Sequence, residues 1–300
     1  MPPSSDAPSR PLTALVTGAS SGIGRATVLD LAGRGARLVL VARGREALET
    51  TAVEARAAGA EDVLVCPADV VDADALRRTV DSALDRFGRL DVVVHSAQTM
   101  AYGRIEDVPR AAFEAVVDTS LHGTANLART VLPVFRRQRA GHLIVVSSLL
   151  ASVTAPLMGT YAVAKWGQLG LVRTLQQEVR DAPGVHVSAV APGGVNTPIY
   201  YQGATWAGST GRPPPPVYSP ERVARAVLAR LDRPRRLVQS GVANPVVIAG
   251  FRLLPAVYDA LVGPLFRVFA LAGDDAAPTE GNVFASRPER NAKDGRWRGF

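Results

Sequence analysis

A short apolar run that leads straight into a glycine-rich turn constrains the fold of this chain most strongly. The run covers residues 12–16, the turn is TGASSGIG at 17–24, and an Ala- and Leu-rich stretch follows to about residue 34. Strand, glycine turn and helix in this order are typical of a dinucleotide site, because glycines let the backbone approach a pyrophosphate and the helix N-terminus supplies N–H groups. The spacing of Gly18, Gly22 and Gly24 differs from the commonest fingerprint, so the turn by itself would also suit a plain tight connection.

The pattern of strand and helix repeats along the chain. Strand-like, mostly apolar runs at 37–42, 62–66, 90–94, 143–146, 185–190 and 237–238 alternate with helical stretches. This alternation predicts an α/β fold, a doubly wound, Rossmann-like parallel sheet with helices on both faces, in a single domain. The long helical stretch 109–139 contains Pro133, which predicts a kink there.

The fold is expected to cover residues 11–241, with three further segments around it. Residues 1–10 resemble a disordered leader, 242–273 an apolar helical extension, and 274–300 a polar, Arg-rich tail that we expect to be loosely ordered. Trp297 and Phe300 are the tail residues most suited to dock on the body of the protein.

Charge and cysteine content limit the classes of function. The net charge is +7, but the arginines are spread along the chain rather than clustered, so no nucleic-acid partner is predicted. The single cysteine, Cys66, excludes an internal disulfide and indicates a reducing, cytoplasmic location; it lies in an apolar run and is expected to be buried and inert. The first residues contain no apolar segment typical of a secretory signal, and no metal site is predicted.

A hydroxyl, a phenol and an ammonium form the candidate catalytic set. Tyr161 and Lys165 lie four residues apart and would share one face of a helix, and Ser148 follows the strand at 143–146. A nearby cation stabilises a phenolate, which would bring the tyrosine closer to proton transfer at neutral pH. The Tyr-x-x-x-Lys spacing is common by chance, and taken alone it would suit a solvated helix face.

Five motifs together resemble the short-chain dehydrogenases/reductases: TGASSGIG at 17–24, DV at 69–70, Ser148, YAVAK at 161–165 and PGGVNTP at 192–198. They occur in the order and spacing of that family over about residues 10–240. The resemblance implies hydride transfer between NAD(P) and a carbonyl or alcohol. It makes Tyr161 the general acid/base and Lys165 the residue that binds the nicotinamide ribose and lowers the Tyr161 pKa, while Ser148 bonds the substrate oxygen. The cofactor residues that it implies are Gly18, Ser20, Ser21, Gly22, Ile23, Gly24, Arg43, Asp69, Val70, Ser96, Ala97, Tyr161, Lys165, Pro192, Gly193, Val195 and Thr197.

The residue after the second strand predicts which cofactor is preferred. Residues 42–43 are Ala-Arg, with no acid to bond the ribose hydroxyls. The guanidinium of Arg43 suits a 2′-phosphate, so NADP(H) is predicted over NAD. In the simplest alternative, Arg43 faces water.

Two stretches depart from the family pattern. The chain has His-Ser-Ala-Gln at 95–98 where the family usually has Asn-Asn-Ala-Gly, and Ser120 where the family usually has a relay asparagine. We expect Ser120 to take the relay position with a shorter reach, His95 to be packed at a strand end, and His122 to be a polar surface residue. The departures motivate a second hypothesis, a weakly active or inactive NADP(H)-binding sensor or interaction protein. A third is a family member that uses the cofactor for isomerisation or epimerisation.

Two regions are expected to select the substrate and partners. Residues 200–218 are rich in Pro and Gly, contain Trp206, and lie where the family has its substrate lid; Tyr102, Leu157 and Met158 are expected to line the same pocket, which favours a hydrophobic ketone, aldehyde or alcohol. Residues 244–272 are strongly apolar but never reach the ~20 uninterrupted apolar residues of a membrane span. They would cover the pocket or a subunit interface, lie on a membrane surface, or complete the core. The resemblance also implies a homo-oligomer.

Overall fold

The structure is a computed structural model that describes residues 10–297. The predicted leader, apart from Arg10, and the predicted docking of Phe300 lie outside the described residues.

Seven parallel strands form the central sheet, in the order β11-β7-β6-β4-β1-β2-β3. In the register of the sheet, Val16 pairs with Leu40 on one side and with Val94 on the other. Short strand pairs β5 with β9 and β10 with β8 lie outside this sheet. The strands in chain order are β1 (Thr13–Thr17), β2 (Arg37–Ala42), β3 (Asp62–Pro67), β4 (Val92–His95), β5 (Ala101–Tyr102), β6 (Gly141–Val146), β7 (Val185–Pro192), β8 (Gly194–Val195), β9 (Ala204–Thr205), β10 (Val217–Tyr218) and β11 (Leu237–Ser240).

Ten α-helices connect and flank the strands within residues 10–297. Local signals define several ends: the Asp72 carboxylate accepts from the N–H groups of Asp74 and Ala75 at the start of α3, and Gly88 ends it in the left-handed conformation. The helices are α1 (Gly22–Ala32), α2 (Arg45–Ala57), α3 (Ala73–Phe87), α4 (Arg110–Val117), α5 (Gly123–Gln138), α6 (Gly159–Glu178), α7 (Ile199–Gln202), α8 (Pro220–Asp232), α9 (Asn244–Leu253) and α10 (Pro255–Ala270).

The core consists of two apolar layers, one on each face of the sheet. Leu15 and Val39 point to the layer that contains buried residues of α3, α5 and α6. Their neighbours Val16 and Leu40 point to the layer that contains buried residues of α1, α2 and α8. Alternate strand residues therefore face opposite helical layers, as a parallel sheet covered on both sides requires. The prediction of a doubly wound α/β fold in a single domain is confirmed.

The helical stretch at 109–139 is irregular at a different place from the one predicted. Helix α5 continues through Pro133, and the break lies earlier, where residues Asp118–His122 form a π-helical turn between α4 and α5. A π-turn inserts one extra residue into the helix and often marks a functional position. This turn contains the buried Ser120.

The apolar extension forms a helical hairpin, α9 and α10, with a break at Leu254. Of its helical residues only Asn244 and Ala270 are buried, and many apolar side chains are exposed. Within residues 10–297, no helix combines the length and the apolar character needed to cross a bilayer. The most exposed apolar residues of the hairpin are Val246, Leu253, Leu254, Val257, Leu261, Leu265, Val268 and Phe269.

The polar tail differs from the loosely ordered segment expected. Residues 279–297, which we call the C-terminal strap, follow the surface of the domain and form specific hydrogen bonds with it. Thr279 exchanges backbone hydrogen bonds with Thr205, and the N–H of Asn282 donates to the carbonyl of Gln202. The Trp297 ring packs against those of Tyr200 and Tyr201, with centroids 5.7 and 5.8 Å away. Main-chain hydrogen bonds, rather than an apolar pattern, hold this segment in place.

Candidate active site

A cavity of about 820 Å³ opens along the edge of the sheet where the strands end. Its size is typical of a site for a small molecule or cofactor, and its position is where parallel α/β sheets bind ligands. Two predicted site residues, Gly24 and Ser120, do not line it. The structure brings the other predicted residues together around it: Gly18, Ser20, Ser21, Gly22, Ile23, Arg43, Asp69, Val70, Ser96, Ala97, Ser148, Tyr161, Lys165, Pro192, Gly193, Val195 and Thr197.

The glycine-rich turn is shaped by close backbone contacts. Gly18 and Gly22 have φ values of +68° and +52°, which glycine adopts at low cost. A Cβ on Gly24 would lie 2.1 Å from the carbonyl oxygen of Gly18, so the first turn of α1 packs directly on the end of β1. The turn thus brings the start of α1 to the cavity, where the Gly22 N–H donates to the carbonyl of Ala292 and Ile23 lines the wall. The start of a helix is a typical position for the pyrophosphate of a dinucleotide.

Helix α6 and the end of β6 place the three candidate catalytic side chains on one wall of the cavity. Ser148 caps a single 3₁₀ turn, and its Oγ accepts from the N–H of Leu150 at 3.1 Å. The Lys165 ammonium lies 5.7 Å from the centroid of the Tyr161 ring. It donates to the carbonyl of Val146 at 3.1 Å, which fixes the lysine against the strand end.

Burial determines the acidity of the two titrating groups. Burial raises the pKa of Tyr161 to about 12, and the adjacent Ser148 hydroxyl opposes the rise. Burial also lowers the pKa of Lys165 to about 7. The lowering of the Tyr161 pKa by Lys165, which the family resemblance implies, stays a prediction. In this structure, desolvation of the buried phenolate is the largest influence on the Tyr161 pKa.

The two departures from the family pattern contact each other. The Ser120 hydroxyl donates to the side-chain oxygen of Gln98 at 2.6 Å, and the Gln98 amide donates to the Thr99 carbonyl, also at 2.6 Å. The Ser120 carbonyl accepts from the Gln168 amide at 3.1 Å, and the Gln168 oxygen accepts from Lys165 at 3.0 Å. A continuous polar path therefore joins Lys165 to Gln98 in the interior. The serine in the family's asparagine position is matched by the glutamine in the family's glycine position.

We expect Ser120→Ala and Gln98→Ala to be strongly coupled. Each single change leaves the partner's polar atom without its hydrogen bond, at a cost of about 1–2 kcal/mol in the free energy of unfolding. The double change removes both atoms, so its cost should fall below the sum of the two by about 1 kcal/mol. Urea unfolding of the four proteins measures this, and additive costs would show that the pair is incidental.

The opposite end of the cavity carries the predicted determinant of cofactor preference. The Arg43 guanidinium donates to the carbonyls of Asn282 and Val283 in the strap, at 2.5 and 3.0 Å. Burial lowers the pKa of Arg43, and the negative charge of Asp69 opposes this. Arg43 is therefore held against the strap. The simplest alternative, in which Arg43 extends into water, is wrong.

The strap also contacts the glycine-rich turn. The Ala292 carbonyl accepts from the Ser21 hydroxyl and from the Gly22 N–H, both at 3.0 Å. At the loop after β8, the Gly295 N–H donates to the Asn196 carbonyl at 3.0 Å. The segment thus crosses the cavity edge between the two loops predicted to hold the cofactor.

The substrate end of the cavity is mostly apolar. Tyr102, Met158 and Tyr200 line it, together with apolar residues from the inner side of the α9–α10 hairpin. The prediction is wrong for Leu157, which packs behind Tyr102 and Met158 without lining the cavity. Its backbone has a φ of +65°, and its carbonyl accepts from the Gly103 N–H. Trp206 of the predicted lid does not line the cavity either.

Three other side chains are structural. His95 is fully buried at the end of β4, as predicted, and its Nδ1 lies 2.8 Å from the Thr17 hydroxyl. Burial lowers its pKa to about 3. His122 is exposed and pairs with Asp118 at 2.7 Å, which confirms a surface residue. Cys66 is half-buried, and burial raises the pKa of its thiol, which makes it a poor nucleophile.

Several residues at the site were not predicted from the sequence. Gln168 lies three residues after Lys165 on α6, so helical spacing would have identified it as a neighbour. Ser286 and Arg287 of the strap also line the cavity. They lie far from every motif in the chain, and no local pattern predicts their position.

The comparisons with known proteins agree with this geometry. A model of the family described as short chain dehydrogenase matches residues 12–207, well over half of the chain. The 11-beta-hydroxysteroid dehydrogenase 1A of Arabidopsis thaliana is 38% identical over 188 residues, or 62% of this chain. The chain spans about half, 52%, of the length of that relative.

Two solved structures share the fold over most of the chain. An alcohol dehydrogenase from the archaeon Thermococcus sibiricus, complexed with 5-hydroxy-NADP, is 29% identical with a TM-score of 0.67; the match covers 78% of this chain and 96% of that one. A short chain dehydrogenase/reductase from Burkholderia phymatum, in complex with NAD, is 25% identical with a TM-score of 0.72, over 85% and 96% of the two chains. Together with the parallel sheet, the family model over residues 12–207 and these similarities show that the chain belongs to the short-chain dehydrogenase/reductase family of oxidoreductases.

Proposed function

We propose that the protein is an NADP-preferring oxidoreductase that interconverts a hydrophobic ketone or aldehyde with the corresponding alcohol. The observation that carries this proposal is one continuous cavity with Ser148, Tyr161 and Lys165 at one end and Arg43 at the other. This arrangement suits the binding of two ligands in one cavity. The substrate would lie at the proton-transfer residues, and the nucleotide would extend from there to the cationic end.

Tyr161 is the general acid and base in this proposal. Its hydroxyl gives a proton to the carbonyl oxygen during reduction and takes one from the alcohol during oxidation. Ser148 holds the same oxygen: its Oγ accepts from the Leu150 N–H, and its own hydrogen, which also serves Tyr161, can rotate to the substrate oxygen. A nicotinamide dinucleotide, when bound, supplies or accepts the hydride.

Lys165 binds and orients the cofactor in this proposal. Two of its three donor positions go to Val146 and Gln168, which leaves the third for the ribose of the cofactor. Gln168 and Ser120 continue the polar path inward, so Ser120 keeps a place behind the catalytic wall as a positioning residue. The direct Ser120–Gln98 pair favours this enzyme over the weakly active sensor, because the departures complement each other without displacing the catalytic set.

The preference for NADP is supported by Arg43 and by the absence of an acid at the end of β2. The solved relatives carry either nucleotide: the archaeal alcohol dehydrogenase has an NADP derivative and the Burkholderia protein has NAD. The fold therefore does not distinguish NADP from NAD, and the preference for NADP rests on the side chains at the adenosine end of the cavity.

A hydrophobic substrate is supported by the lining of the cavity and by one relative. The hairpin α9–α10 contributes apolar side chains to the cavity, so it would cover the substrate. The Arabidopsis relative is named for a hydroxysteroid, an alcohol on a large apolar skeleton. An apolar wall excludes water and places the reacting carbon by shape.

The location and partners belong to the same proposal. The lone, half-buried Cys66 suits the reducing cytoplasm. Apolar side chains of the hairpin remain exposed, most of them at the cavity itself, and Arg252 and Arg267 are exposed as well. This combination suits either a second copy of the chain or an anionic membrane surface. Sedimentation with and without anionic vesicles would separate these two partners.

Titration of NADPH and NADH into the wild type and Arg43→Ala tests the proposal. We expect NADPH to bind at least tenfold more tightly than NADH, and the ratio of the two affinities to fall close to one in the variant. Arg43→Ala removes a charge-assisted hydrogen bond to the 2′-phosphate, which only NADPH carries. Cofactor fluorescence measures both affinities. The loaded wild type is then assayed for turnover of a panel of hydrophobic ketones.

The outcomes of this experiment distinguish the proposed enzyme from the two alternative hypotheses. Equal binding of the two nucleotides would contradict the NADP preference. Tight binding with no turnover on the panel would favour the sensor hypothesis, and product formed without net NADPH oxidation would favour isomerisation or epimerisation.

A further inference from the structure

The C-terminal strap is fixed over the cavity at several separate points. Its Asn282 and Val283 carbonyls bind Arg43, and its Ala292 carbonyl binds Ser21 and Gly22. Near its end, the Trp297 N–H donates to the Asn196 side-chain oxygen at 3.1 Å, and Lys293 forms an ion pair with Glu221. Residues between these points are therefore held at defined positions beside the cavity.

The strap fills the space next to Gly44 with a hydroxyl group. Gly44 follows Arg43 at the end of β2 and has an extended backbone, with φ −87° and ψ 113°. A Cβ built on Gly44 would lie 2.7 Å from the Oγ of Ser286. Ser286 thus supplies a polar group at the place where the side chain of residue 44 would begin.

A second guanidinium lines the same cavity from the strap. Arg287 follows Ser286 and is anchored through Nε, which donates to the Gly281 carbonyl at 3.1 Å. Arg43 uses one N–H on each terminal nitrogen for the strap carbonyls. An arginine has five N–H donors, so three remain on Arg43. The Gly281 carbonyl that holds Arg287 is followed directly by the Asn282 carbonyl that holds Arg43. Two guanidinium groups and a hydroxyl therefore line the cavity beside the same stretch of the strap.

This set of groups matches a phosphate monoester. Such a group carries close to two negative charges and three acceptor oxygens at neutral pH. One arginine satisfies only part of that demand, whereas two arginines and a hydroxyl offer enough donors for all three oxygens. A free ribose 2′-hydroxyl gains little from the same donors.

We propose that the strap completes a binding site for the 2′-phosphate of adenosine, in which Ser286 and Arg287 act together with Arg43. This rests on the proposed NADP preference and names the part of the site that the strap supplies. Cofactor selection then depends on a segment almost 240 residues away from Arg43 along the chain.

Calorimetric titration of adenosine 2′,5′-bisphosphate and of 5′-ADP into the full chain tests this without turnover. We expect Arg287→Ala to weaken the bisphosphate about tenfold and Ser286→Ala about threefold to tenfold, with 5′-ADP unchanged. Gly44→Ala, whose new Cβ would push the Ser286 hydroxyl away, should reproduce the effect of Ser286→Ala.

The matched control is Arg290→Ala. Arg290 belongs to the same strap and carries the same charge, but it binds the Tyr201 carbonyl and does not line the cavity. It should leave the ratio of the two affinities unchanged.

The results separate this proposal from the proposed function. If Arg43→Ala abolishes the preference while Ser286→Ala and Arg287→Ala do not alter it, the strap is no part of the phosphate site and the NADP preference stands. If Arg287→Ala weakens both ligands equally, the strap acts only as a structural clamp and the proposal is wrong. If the wild type shows no preference for the bisphosphate, the NADP preference itself fails.

Discussion

Replacing Tyr161 by phenylalanine is expected to lower kcat by about 10²–10⁴-fold while NADPH still binds. The change removes only the hydroxyl, and the buried ring keeps its place among Met100, Tyr102 and Met158. Loss of a proton donor and acceptor at the reacting oxygen, rather than loss of packing, would account for the effect. Steady-state kinetics measures the loss of turnover, and cofactor titration of the same sample shows whether the packing of the site is preserved.

The pH dependence of the wild type gives a second measure of the same residue. Because burial raises the pKa of Tyr161 to about 12, the phenolate is scarce at neutral pH. Oxidation of the alcohol needs that phenolate, so its rate should rise about tenfold per pH unit below the pKa, whereas reduction uses the abundant phenol. A plateau in oxidation below pH 9 would show that charges at the loaded site lower the pKa, as the family resemblance implies. Full activity of Tyr161→Phe would remove the tyrosine from the mechanism.

Gly24→Ala is expected to weaken nucleotide binding by roughly 100-fold. The new Cβ would lie 2.1 Å from the Gly18 carbonyl oxygen, so either α1 or the end of β1 must move. Such overpacking also lowers the free energy of unfolding by about 1–3 kcal/mol. Fluorescence titration of NADPH together with thermal unfolding measures both changes.

Gly33→Ala is the matched control on the same helix. Gly33 lies at the end of α1 with a φ of −61°, and a Cβ there would meet its nearest atoms at 3.7 Å, an ordinary contact. Binding should stay at the wild-type level. Equal losses in the two variants would mean that α1 is simply sensitive to substitution, and normal binding in Gly24→Ala would show that the turn tolerates a side chain.

The sequence predicts the parts of this protein that depend on local pattern. The apolar residues 38–42 lie in the sheet, since a strand covered on both faces is apolar where it is buried. Tyr161 and Lys165 meet because helical spacing determines their direction. The π-turn at 118–122 has no proline or glycine inside it, so its sequence resembles ordinary helix.

Contacts between distant segments are the part that local pattern does not reveal. Gln98 and Ser120 were each identifiable as departures, yet only the folded chain places their side chains 2.6 Å apart. The tail was expected to be loosely ordered, whereas the strap at 279–297 is hydrogen-bonded to the domain. Polar composition predicts disorder because it offers little apolar area to bury, but the strap is attached by hydrogen bonds to groups that the rest of the fold holds in position.

The strap's reliance on carbonyl oxygens has a consequence for how such chains can change during evolution. Asn282 and Ala292 engage the domain through a carbonyl oxygen, an atom that every amino acid has, so substitutions there leave these bonds available. Val283 also uses its carbonyl, but its side chain is buried in an apolar cluster. Insertion or deletion of one residue between Val283 and Ala292 would instead shift one anchor away from its partner. Gly295 is an exception, because a side chain would meet Asn196 and Thr197. Descendants of this chain should therefore preserve the spacing of the strap, whereas a position that contributes only its carbonyl, such as Ala292, is free to change.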